Sequence, residues 1–162
     1  MIGKTIGELE AGDHAELTRR VETADLAGFI TAVGDLNPVH SDAAYAATTP
    51  FKEPIAPGIF TAGLISAVIG TRLPGPGAIY LAQSLKFSKP VKAGDTITAK
   101  VVVRDVIRER NRIRLETTCT NQRGEEVLSG EAWVMPSNVH IVYAEERQAA
   151  ASLARLALQP WS

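Results

Sequence analysis

Cysteine, net charge and long hydrophobic runs are all scarce in this chain, and each scarcity closes off a class of protein. Its one cysteine, Cys119, cannot form an intramolecular disulfide, and the opening MIGKTIGELEAGD has no apolar core of the kind signal peptides carry. Both features point to a reducing cytoplasm. With 17 Lys and Arg against 18 Asp and Glu, the formal net charge is -1, so no basic field draws the protein to nucleic acid or to an anionic membrane. A small or neutral ligand is the better expectation. The longest apolar stretch, residues 55–69, is shorter than the roughly 20 residues that span a bilayer. It is also interrupted by Pro57, Gly58 and Gly63, and it reads as a buried segment. What remains is ordinary material for one domain, since 162 residues at 45% hydrophobic content suffice for a sizeable core.

The first half of the chain has helical spacing. A short strand is predicted over 17–21, after which Thr23 or Asp25 can cap a helix carrying Leu26, Phe29, Ile30 and Val33 at i, i+3, i+4 and i+7. Gly34 supplies a stop, and the Asn37-Pro38 pair keeps the next residues out of helical geometry. Asp42 can cap a second short helix over 43–47. Past Gly58 the chain is apolar on nearly every face, through Ile59, Phe60, Leu64, Ile65, Val68 and Ile69. A helix without a polar face belongs inside.

The second half has strand spacing. Ile79, Leu81, Leu85 and Phe87 lie at even separations, broken on that face by Gln83. Ile97, Ala99, Val101 and Val103 alternate with polar residues, as do Ile113, Leu115, Thr117 and Cys119, and 127–135 forms a further strand. Arg110 and Asn111 sit at one hairpin turn and Gly124 at another. These patterns define an α+β protein in which an antiparallel sheet curls around one buried helix. Residues 1–136 read as that single domain, and 137–162 as an extension with a helix over 145–158. An open sheet keeps exposed edges, which pairing with a second copy would satisfy, so a homodimer is expected.

The run GDLNPVHSD, residues 34–42, holds Asp35, Asn37 and His40 on one short loop. A carboxylate accepts, a neutral imidazole can act as base, and an amide does both, so together they can bind a water and move its protons. Pro38 removes backbone freedom that would otherwise loosen the group. Taken alone, the same residues also make an ordinary turn, and single histidines are often merely packed. A second element is Pro57-Gly58 at the entry to the apolar helix. The first N–H groups of a helix lack internal partners, so Gly58 can polarise a carbonyl oxygen, although the pair also serves simply to start a helix. Ser66 lies further along that helix.

GDLNPVHSDAAYAATTPFKEPIAPGIF, residues 34–60, closely resembles the hydratase signature of the MaoC-like (R)-specific enoyl-CoA hydratases, a hot-dog-fold family. The likeness continues through LISAVIGTRLPGPGAIYLAQSLKFSKPVKAGDTITAKVVV, residues 64–103, and fades beyond Met135. It implies a reversible syn addition of water to a trans-2-enoyl-CoA, giving an (R)-3-hydroxyacyl-CoA, with no metal or redox cofactor. By this resemblance Asp35 and His40 are the catalytic pair, Asn37 orients them, and the Gly58 N–H binds the thioester oxygen as charge develops there. Ser66, Lys86 and Lys89 are candidate substrate contacts, the lysines for the CoA phosphates. Arg108, Arg110, Arg112 and Arg114 are further cations, equally explained as a solvated strand face. One departure is visible: many members carry His before the helix-entry glycine, where this chain has Pro57, which changes the surroundings of Gly58 but leaves its N–H in place. Two other readings stay open at this point. One is a dehydratase acting on acyl-carrier-protein thioesters. The other is a non-catalytic acyl-thioester module, suggested by the likeness of 65–77 to hydratase-like portions joined to phosphate acyltransferases.

Overall fold

The computed structural model describes residues 1–144. The helix expected over 145–158 lies outside the described residues. In chain order the elements are β1 (Ile2–Gly3), β2 (His14–Arg20), α1 (Thr23–Val33), α2 (Ala43–Thr48), α3 (Gly58–Thr71), β3 (Ile79–Gln83), β4 (Lys86–Phe87), β5 (Thr96–Ile107), β6 (Arg112–Thr120), β7 (Glu126–Met135) and β8 (Ile141–Val142). Six of the strands form one antiparallel sheet in the order β2-β5-β6-β7-β3, with β4 also paired to β7. The chain then continues past Pro136 into β8, which pairs antiparallel with β1.

Alternation builds the sheet's inner face. Ile97, Ala99, Val101 and Val103 of β5 and Ile113, Leu115, Thr117 and Cys119 of β6 are all fully buried, while their neighbours in sequence are not. Register sets them side by side, Val101 against Thr117 and Ala99 against Cys119. Against this face lies α3, which contributes Thr61, Leu64, Ile65, Val68 and Ile69 to the core. Each fully buried aliphatic side chain contributes about 2 kcal/mol relative to exposure. This is the expected sheet curled around a helix.

Three local expectations are corrected. First, α3 is not buried all round: Ile59, Gly63, Ser66 and Gly70, spaced by four, three and four residues, form an exposed stripe. That face is small-sided rather than polar, so hydropathy alone did not reveal it. Second, α1 begins at Thr23 with Glu22 as its cap, and Asp25, three residues in, accepts from the Glu22 N–H at 3.2 Å instead of capping the helix itself. Third, the strand expected across 79–87 divides into β3 and β4 at Ser84 and Leu85, where Ser84 stays tied to β7 by donating its N–H to the Glu131 carbonyl but takes the Glu131 N–H on its hydroxyl in place of its own carbonyl.

The site is positioned by how α1 meets α3. Phe29 and Phe60 pack edge-on, with ring centroids 5.9 Å apart and planes at 81°. This brings the C-terminus of α1 beside the N-terminus of α3. Between them the segment before α3 is pinned on both sides, Ile55 N–H donating to the Val39 carbonyl (3.2 Å) and Ala56 N–H to the Val91 carbonyl (2.7 Å).

Candidate active site

The loop after α1 is held by its own hydrogen bonds. Gly34 closes the helix in the left-handed region (φ 72°), which glycine enters without a Cβ penalty, and its N–H donates to the Ile30 carbonyl. The Asp35 N–H donates to the same carbonyl at 3.1 Å. Asp35 Oδ1 accepts from the Asn37 N–H (3.2 Å), and Asn37 Oδ1 accepts from the Val39 N–H (3.3 Å). Asn37 thereby caps a single 3-10 turn, Pro38–His40, with proline at its start. The His40 N–H donates to the Asn37 carbonyl at 3.0 Å. Every bond in this series fixes the direction in which His40 leaves the backbone.

The imidazole is then oriented from its far side. Nδ1 of His40 lies 2.7 Å from the Ile55 carbonyl oxygen. A carbonyl can only accept, so Nδ1 carries the proton and the neutral ring presents Nε2 as an acceptor. That Nε2 stands 3.6 Å from Asp35 Oδ2. The His40 side chain is 11% exposed and that of Asp35 37%, so the ring sits inside and the carboxylate at the opening.

Asp35, His40 and Gly58 all line one cavity of about 220 Å³, with Phe29, Val33, Pro57 and Ile59. Gly58 is the first residue of α3, so its N–H has no acceptor within the helix and carries the positive end of the helix dipole. Pro57 is buried and caps α3, and its carbonyl accepts from the Phe60 N–H. Through His40, Gly58 and Ile59 this cavity adjoins a larger one of about 430 Å³ walled by Phe51, Ile55, Phe87, Pro90, Val91 and Val127. A polar corner thus opens into an apolar chamber.

The other sequence candidates fall at varying distances from this corner. Lys89 lines the larger cavity and pairs with Glu125 at 2.5 Å. Lys86 is exposed on β4, outside both cavity linings. Ser66 lies on the exposed stripe of α3, eight residues or roughly 12 Å along the helix from Gly58, and the described cavities do not reach it. The arginines lie elsewhere: Arg108 donates to the Ile6 and Leu9 carbonyls, Arg114 pairs with Asp105 and Glu131, and Arg110 and Arg112 border a groove beside Trp133. Sequence reasoning missed two contributors, the Ile55 carbonyl that sets the His40 tautomer and Phe87 against Gly58. The first leaves no mark, since any residue supplies a carbonyl. The second lay in the Phe-Ser-Lys-Pro-Val run, whose spatial partner the sequence did not disclose.

A single antiparallel sheet wrapped on a central helix, with an acid–amide–imidazole loop docked at that helix's N-terminus, defines the hot-dog class of hydratases and dehydratases. The MaoC-like domain model matches residues 7–124, and the chain belongs to that family. It is 50% identical over 127 residues to a 3-hydroxybutyryl-CoA dehydratase of Methylorubrum extorquens, covering 78% of this chain and 80% of that one. An (R)-specific enoyl-CoA hydratase of Rhodospirillum rubrum is 48% identical over 128 residues, covering 79% and 88%. Among solved structures, the unliganded R-hydratase of Pseudomonas aeruginosa superposes with a TM-score of 0.81 at 46% identity, covering 90% of this chain and 94% of that one.

Proposed function

We propose that this protein is an (R)-specific enoyl-CoA hydratase, adding water reversibly and syn across the double bond of a trans-2-enoyl-CoA to give the (R)-3-hydroxyacyl-CoA. The observation that carries the reading is the pair of acceptors, His40 Nε2 and Asp35 Oδ2, set 3.6 Å apart on a cavity they share with Gly58, whose N–H opens α3. Two acceptors facing one opening repel each other unless a donor bridges them, and a water molecule has one O–H for each. Held in this way, its oxygen lone pairs point away from both groups, toward the substrate.

His40 Nε2 removes one proton as the water oxygen bonds to C3 of the enoyl group. The electrons of the double bond move onto the thioester oxygen, where the Gly58 N–H stabilises the developing charge. The water's other O–H bond survives as the C3 hydroxyl, and a proton is delivered to C2 through Asp35 and its water network. The proton on His40 Nε2 replenishes that network, and the same path run backwards dehydrates the product. Asn37 acts through His40, by capping the turn that aims it. Lys89, on the lining of the larger cavity, and Lys86, exposed on the neighbouring β4, are the candidates to meet the CoA phosphates, and Ser66 becomes a substrate contact if a second copy covers the α3 stripe. We assign the catalytic domain to residues 1–136 and an extension to 137–162, the protein to a homodimer, and its setting to a reducing cytoplasm on the strength of the lone Cys119.

Crotonyl-CoA tests the reading through the loss of its conjugated-thioester absorbance and chiral analysis of the product. Consumption with (R)-3-hydroxybutyryl-CoA as product is the expected result, and no turnover of any short or medium enoyl-CoA would overturn it. Parallel assays on the crotonyl-carrier-protein thioester decide the substrate carrier, since faster turnover there makes the protein a carrier-protein dehydratase.

A further inference from the structure

Gly58 is glycine for a reason that lies outside its own backbone. Its φ is not in the left-handed region, so the helix entry alone would accept any L residue. The space beside it is taken instead. A Cβ at 58 would stand 2.7 Å from Phe87 Cε1, closer than real Cβ contacts come, and 3.0 Å from Cδ1 and Cζ. The ring of Phe87 therefore lies on the bare face of the residue whose N–H the hydratase reading assigns to the thioester oxygen.

Phe87 is also placed to be a wall. It sits on the two-residue β4, fixed to β7 by pairing with Leu128, and the Ser88 N–H donates to the Val127 carbonyl at 2.9 Å. It lines the larger cavity together with His40 and Gly58. Yet the residue remains 52% exposed, and it contributes apolar surface to the lining of the cavity that the hydratase reading gives to the thioester. A flat ring against the side-chain-free face of Gly58 narrows the orientations in which a planar thioester can bring its oxygen to the N–H.

We propose that Phe87 is a substrate-positioning residue, whose ring, seated on the side-chain-free face of Gly58, holds the thioester carbonyl in line with the Gly58 N–H. The inference rests on the hydratase reading and deepens it. Residues 58 and 87 are then a matched pair: with the Phe87 ring where it stands, any side chain at 58 would have to displace it.

The test is a double-variant cycle with crotonyl-CoA, each protein checked by circular dichroism and thermal melting. Gly58→Ala keeps the N–H and adds only a methyl group, and its kcat/KM is expected to fall about a hundredfold through misplacement of the carbonyl. Phe87→Ala and Phe87→Leu should lower kcat about tenfold, with Phe87→Tyr near wild type. In Gly58→Ala/Phe87→Ala the methyl group has room, so activity should return to within about threefold of Phe87→Ala alone, a strong departure from additivity. A double variant no better than Gly58→Ala, or a Gly58→Ala enzyme that is fully active, overturns the pairing. So does a Phe87→Leu protein with unchanged kcat, a result that needs no variant at position 58. A wild-type protein that turns over no enoyl thioester overturns the hydratase reading itself and the assignment with it, and is told apart by appearing before any substitution is made.

Discussion

His40 uses its two ring nitrogens for different ends. Nδ1 is bound to the Ile55 carbonyl, and this leaves Nε2 facing Asp35 as a base. Removing either member of the pair removes one anchor of the bridging water, so Asp35→Asn and His40→Ala should each lower kcat by about 10² to 10⁴. Binding of saturated butyryl-CoA, measured calorimetrically, should stay within a few-fold, because neither change touches the walls of the larger cavity beyond the imidazole. Turnover left intact in both variants would remove the catalytic assignment. Asp35, Asn37 and His40 were readable in sequence because six consecutive positions bring them together without help from the fold. The tautomer was not readable, since the carbonyl that sets it lies fifteen residues away and bears no side-chain signature.

Elements hold these residues through their ends. Gly34 carries α1 into the loop at φ 72°, a conformation in which a Cβ costs about 1 kcal/mol. Gly34→Ala should lower the urea-unfolding free energy by about that amount, and Gly34→Asn by less, because asparagine tolerates the left-handed region; equal stability of all three proteins would contradict the strain. The β6–β7 turn gathers Asn121, Lys89 and Arg123 on Glu125, and hydrogen bonds from Asn121, then Lys89 and Arg123, hold its carboxyl down to about 2 from an ordinary 4.5. A depressed carboxyl stabilises the fold above the unfolded value and ceases to do so as pH falls through the folded one. Glu125→Gln should therefore flatten the loss of stability between about pH 4.5 and 2, read from melting temperatures across that range. An unchanged acid limb would show that this cluster does not contribute. The period-two runs of β5 and β6 were legible because one face is dry and the other wet. The exposed stripe of α3 was not, because Gly63, Ser66 and Gly70 are too small to mark a face as polar, and only the packing of the opposite face on the sheet reveals them.

At the scale of the whole molecule, the two edges of the sheet are unlike. The β2 edge reads HAELTRR, with Glu16, Arg19 and Arg20 to discourage pairing, whereas the β3 edge reads IYLAQ and leaves Ile79 55% and Leu81 40% exposed. An apolar edge strand with unpaired backbone groups is a template for another strand, and a second copy supplies the same one by two-fold symmetry. The small-sided stripe of α3 is a second surface on which another element could approach closely, and covering it would enclose Ser66. Light scattering should accordingly give twice the chain mass at micromolar concentration. A lysine at the edge puts a charge where two strands would meet, so Leu81→Lys should shift the protein toward the monomer while its circular dichroism keeps the β signature. Crotonyl-CoA turnover should fall with the dimer fraction if the second copy completes the site by covering the α3 stripe, and recover as protein concentration is raised. A wild-type protein that stays monomeric across the concentration range, or a Leu81→Lys protein that stays dimeric, would mean that the β3 edge is not where the two copies meet.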